Sequence, residues 1–146
     1  MKKTLIWCAA IFFCGCLNFG DNLELRGEKF SSKYIEQVTR LTGIKFPAGT
    51  HGIAYLYLGS GIDSSIAAKL EIPEEKKDEL LKNDIFEKGQ LKAPVMQIGK
   101  SRKWWLLNTL KERIDRVLDL PNARLLECSV GKEKDSLIIY ISWSET

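Results

Sequence analysis

Histidine is nearly missing from this chain: His51 is the only one in 146 residues. A metal centre or a nucleophile relay ordinarily needs several ligands, or a Ser or Cys supported by His and an acid. A lone His at the start of a strand reads as a surface or hydrogen-bonding residue. Paired cysteine dipeptides are missing too. Cys8, Cys14 and Cys16 crowd the first 16 residues and Cys128 stands alone near the end, so no spacing matches a zinc site. Cys128 lies between Glu127 and Ser129, with no cation to activate it, and reads as a small buried strand residue. Internal repeats and low-complexity tracts are absent. Large net charge is absent as well: 22 basic residues face 19 acidic ones, and two of the basic ones are Lys2 and Lys3. Such a balance gives no long-range attraction for nucleic acid, and none is expected as a partner.

What is present begins with a leader. Met1-Lys2-Lys3 is cationic, and Thr4–Phe13 is an apolar run of ten. As a helix it would span about 15 Å, half of a bilayer's hydrocarbon core. A basic start, a short apolar run and small residues before a cut make a secretory signal peptide over residues 1–15. Residues 16–30, broken by Gly20, Asp21, Asn22 and Gly27, read as a tether of about 20 Å end to end. The alternation of Leu23 and Leu25 with charges also allows a short edge strand.

Residues 31–146 read as one domain, and 45% apolar content supports a core. Ser31 or Ser32 can cap a helix carrying Ile35, Val38 and Leu41, with Gly43 placed for a left-handed C-terminal cap. His51–Leu58 and Ser64–Ile72 predict a hairpin. Its turn contains Gly59-Ser60-Gly61, which lacks the third glycine and the following helix of a dinucleotide fingerprint. Pro73 and the acids Glu74, Glu75, Asp78 and Glu79 predict a helix start. Trp104, Leu107, Leu110, Ile114, Val117 and Leu118 carry the strongest helical period. Ala123–Val130 and Leu137–Trp143 predict a second hairpin, with Leu137, Ile139, Ile141 and Trp143 on one face. The expected fold class is α+β: an antiparallel sheet of about four strands from two hairpins, with about three helices packed on it.

No catalytic constellation emerges, so the chain is read as a non-enzyme without metal or cofactor. Gly99-Lys100-Ser101 has the ending of a phosphate-binding loop, but Pro94 stands where that loop needs a glycine. One cluster suggests binding. Lys100, Arg102 and Lys103 precede Trp104 and Trp105, and adjacent residues cannot share the centre of one helix or strand face. The expectation is a possible binding surface on which one indole stands partly exposed beside the cations, facing a ligand, glycan or lipid headgroup. The alternative is two indoles wrapped around a core edge.

Phe13-Cys14-Gly15-Cys16 resembles the lipobox of bacterial lipoproteins: Gly15 and Cys16 match, while Phe13 and Cys14 stand where Leu and Ala or Ser are usual. The resemblance implies lipidation of Cys16 and cleavage before it, giving a lipoprotein of the bacterial cell envelope held by acyl chains. Leu17, rather than aspartate, after the Cys implies the outer membrane in a Gram-negative host. Release by ordinary signal peptidase and retention of an uncleaved anchor are the alternatives. Residues 41–73, the Trp104–Trp105 pair and Tyr140-x-x-Trp143 are similar to small bacterial envelope proteins, and that similarity implies no activity or cofactor. The expected function is a membrane-anchored binding or structural module with an envelope protein or glycan partner. The alternative is an inhibitor or immunity-type protein that blocks a secreted or envelope enzyme.

Overall fold

The computed structural model describes residues 21–59 and 63–145. The leader, Cys16 and the turn residues Ser60, Gly61 and Ile62 lie outside the described residues. Six strands make one antiparallel sheet: β1 (Leu23–Arg26), β2 (His51–Gly59), β3 (Ser64–Ile72), β4 (Lys111–Leu120), β5 (Arg124–Glu133) and β6 (Ser136–Glu145). Their spatial order is β1-β2-β3-β6-β5-β4. Each half, β1 to β3 and β4 to β6, is a local meander. The seam between them is the β3–β6 pairing, from Ser65 opposite Ser144 to Ile72 opposite Leu137.

Three short helices cover one face: α1 (Ser32–Thr42), α2 (Lys77–Leu81) and α3 (Asp84–Lys88). α1 follows the expected period and ends at Gly43, whose φ of 75° is left-handed and whose N–H donates to Thr39 O. Val38, Leu80, Ile85 and Phe86 from this layer meet Tyr55, Ile66, Leu70, Ile139, Ile141 and Trp143 from the sheet. The four residues expected to share a face of β6 do so. The Asn83 side chain ties the layer together, accepting from Lys45 N at 2.7 Å and donating to Lys45 O at 3.0 Å.

The expectation of a four-stranded α+β fold is overturned: the architecture is mainly β, with a six-stranded sheet and few helices. Two strands account for the difference. β1 is the edge strand that Leu23 and Leu25 allow, so the fold begins ahead of Ser31. β4 replaces the second half of the helix expected over Trp104–Leu118. Ile114 and Leu118 are four apart, a spacing that shares a face in a helix and in a strand alike. Val117 completes the helical period, but it points to the opposite face, where it lies across from Glu127. A bulge with Glu112 at φ 51° sits between Lys111 and Ile114 and interrupts any helix there. The single helix expected after Pro73 is also divided, into a 3-10 turn (Glu74–Lys76), α2 and α3.

Candidate functional site

A fully apolar strand set needs cover on both faces, and the helices supply only one. The second face is covered by residues 90–110, an irregular strap that crosses all six strands. It follows one row of the sheet: Val117, Glu127, Ser142, Ala67, Leu56 and Glu24, which the strand registers place side by side.

The strap is pinned along this row. Gln90 forms a one-residue bridge to the β4 edge, donating to Val117 O at 2.7 Å and accepting from Val117 N at 3.0 Å. Glu127, 1% exposed, turns its carboxyl into the strap. It accepts from Val95 N at 2.6 Å and Met96 N at 3.0 Å, which answers a buried carboxyl with two backbone donors. Ile98 N donates to Ser142 Oγ at 3.2 Å. At the far edge the Trp104 indole N–H donates to Glu24 at 3.0 Å, and Arg102 approaches the same carboxylate at 3.4 Å. The Trp104 bond, aided by Arg26 and Arg102, outweighs desolvation and holds Glu24 below the usual carboxylate range. Between pins the strap closes its own turns, with Lys100 N on Gln97 O and Arg102 N on Gly99 O, both 2.8 Å.

Beneath the strap lies a second, smaller core of Ala54, Leu56, Ala67, Ile138 and Tyr140 under Trp104, Trp105, Leu107 and Leu110. Trp105 stands edge-on to Tyr140 at 5.1 Å and to Trp104 at 5.6 Å. Tyr140 in turn donates to Glu133 at 2.7 Å, and Glu133 pairs with the buried Lys69 at 2.8 Å. Burial pushes Glu133 up, but Lys69 and Tyr140 outweigh it and the carboxyl titrates low. Burial, then Glu133, pushes the Tyr140 hydroxyl up.

The predicted surface is therefore brought together but differently composed. Lys100 and Lys103 are exposed, and Arg102 leans on Glu24. Both indoles are buried, Trp104 at 5% and Trp105 at 9% exposure: neither stands partly exposed, and the alternative of two indoles packed on the core describes them. They pack on the second face of the sheet, a layer that sequence periodicity does not reveal. The glycine of Gly99-Lys100-Ser101 serves packing: a Cβ there would lie 2.2 Å from the Trp105 ring. His51 is exposed at the first position of β2. Cys128 is 1% exposed, and burial pushes its thiol up.

Sequence reasoning missed the outward side of the strap. Leu91 (83% exposed), Val95 (69%), Met96 (37%) and Leu106 (44%) are the exposed large hydrophobics among the described residues, and all four are strap residues. A groove of about 300 Å³ runs beside Leu91, lined by Lys92, Arg116 and the Arg113–Asp115 ion pair. The missed signal is one of charge. From Leu91 to Lys111 the chain carries five cations and no carboxylate, whereas the rest of it from Cys16 onward carries fifteen cations and nineteen carboxylates. No family model, curated protein or solved structure matches the chain.

Proposed function

We propose that this chain is a lipid-anchored bacterial envelope protein, acylated on Cys16, whose domain is a non-catalytic binding or structural module. The strap is its docking element. One observation carries this reading: Leu91 and Val95 stand mostly in solvent, with Met96 and Leu106 partly so, on a segment that hydrogen bonds pin to the sheet at four places. Exposed apolar groups clustered on one segment mark interaction surfaces, and a segment held in place before binding loses little freedom when it docks. A glycan platform is disfavoured within this reading, because the indoles that would stack on a sugar are buried.

The anchor supports an envelope location, at the outer membrane where the host has one. Metabolic labelling with a clickable fatty acid tests it: the wild-type chain is expected to take label and Cys16→Ser to take none. Label on neither removes the anchor from the proposal.

A second reading, an inhibitor or immunity-type protein, is favoured by the Leu91–Met96 stretch, where Glu127 presents Val95 from a fixed backbone. Affinity capture from envelope extracts distinguishes it. An inhibitor retains one enzyme stoichiometrically, and Val95→Asp releases it.

A further inference from the structure

We infer that the strap face docks on an anionic lipid bilayer. The inference rests on the anchored reading for its geometry and stands on three observations.

The first is composition. The strap exposes apolar groups (Leu91, Val95, Met96, Leu106), cations (Lys92, Lys100, Lys103) and the neutral Ser101, Asn108 and Thr109, and no acid interrupts residues 91–111. Apolar side chains among lysines are the chemistry of a bilayer interface: the lysines meet lipid phosphates and the apolar groups enter the headgroup region. A protein partner would have to present an acidic patch to the same lysines.

The second is polarity across the sheet. The helix layer on the opposite face is close to neutral: Glu36, Glu74, Glu75, Asp78, Glu79, Asp84 and Glu87 stand among Lys33, Arg40, Lys76, Lys77, Lys82 and Lys88. The strap segment is cationic and the helix layer nearly neutral. An anionic surface therefore draws the strap inward and leaves the helices outward.

The third is where the anchor joins. Seven residue steps separate Cys16 from Leu23, a reach of at most about 25 Å. The first strand after that reach, β1, is clamped to the strap by Glu24 through Trp104 and Arg102. The described chain therefore begins on the strand that Trp104 and Arg102 hold against the strap. Tethering at this short range adds to the affinity that the strap has of itself.

Vesicle flotation of the chain from residue 16 carrying Cys16→Ser is the test. Every described element lies downstream of residue 20, so this chain retains the whole fold. The vesicles are phosphatidylcholine alone, or phosphatidylcholine and phosphatidylglycerol in equal parts, at low salt. Binding is expected only to the phosphatidylglycerol vesicles and is expected to fade as salt rises. Lys100→Glu with Lys103→Glu is expected to lower partitioning at least about tenfold, and Leu91→Ser with Val95→Ser to lower it as well. Glu75→Gln with Glu79→Gln, on the helix side, is expected to leave it unchanged. Circular dichroism of each variant reports that the fold is kept. No binding to anionic vesicles, or binding indifferent to the strap substitutions, overturns the inference. So does a photocrosslinker at Val95 that captures one protein rather than lipid in cells. Because the Cys16→Ser chain carries no acyl group, these outcomes are independent of the fatty-acid labelling that tests the anchor.

Discussion

Glu127 shows how a single buried side chain can shape a surface. Its two oxygens face the N–H groups of Val95 and Met96. Glu127→Gln replaces one acceptor with a donor and strands one of those amides, at a cost of about 1–3 kcal/mol. The expected result is a lower thermal midpoint with faster amide exchange at Val95 and Met96 than elsewhere; unchanged exchange there would contradict the assigned role. Tyr55 is the converse case. Its ring packs on Phe30 and Tyr34, but its buried hydroxyl has no hydrogen-bond partner among the described residues. Burial, then the neighbouring Tyr57 and Tyr34, pushes it from 10.0 up to about 12. A raised folded value keeps stability whole below pH 10 and removes it as pH climbs through about 12. Tyr55→Phe is therefore expected to match the wild type or exceed it by about 1 kcal/mol near neutrality. It should also lose less stability between pH 10 and 12, read by thermal melts across that window. A steeper alkaline loss in the variant would count against this account.

Elements were legible in the sequence to the extent that a period pointed one way. β3 alternates cleanly and has the expected bounds, and α1 has its period and its glycine cap. β4 was illegible because Ile114 and Leu118 fit both periods, and because Val117, which completes a helical period, belongs to the contact with Gln90. The strap has no period at all. Its course is set by side chains far away in sequence, Glu24, Glu127 and Ser142, which no local window contains. The cationic part of the candidate site could be read from Lys100, Arg102 and Lys103. Burial of the two indoles was one of two readings open there, but the face that they cover was not legible, because the sheet's second face belongs to the six-stranded topology. Gly99 is the strap's tightest point. Gly99→Ala puts a methyl group into the Trp105 ring, and overpacking of this kind costs about 1–3 kcal/mol. The expected signature is a lowered melting midpoint with altered tryptophan emission; a fully native emission spectrum and midpoint would argue against the contact.

At the scale of the whole molecule, the sheet joins two meanders at a seam between residues distant in the chain. Non-local pairing of this kind is slow to form. The strap's anchors on β4, β5 and β6 lie within the second meander, but its last one, Trp104 on Glu24 of β1, exists only once the two meanders have met. Ile141→Val, at the seam, is expected mainly to slow folding, whereas Trp104→Phe, at the strap, is expected mainly to speed unfolding. Stopped-flow measurements across a denaturant series read both arms, and the reverse assignment would place the strap in the folding nucleus.

The seam also has a consequence for a broken chain. β3 and β6 grip one another through their own backbones along eight residue pairs, and the strap contributes none of them. A protease that nicks the molecule between Gln97 and Ile98 would leave two interlocked pieces, each holding half of the sheet. Such a pair could be made separately and joined by mixing.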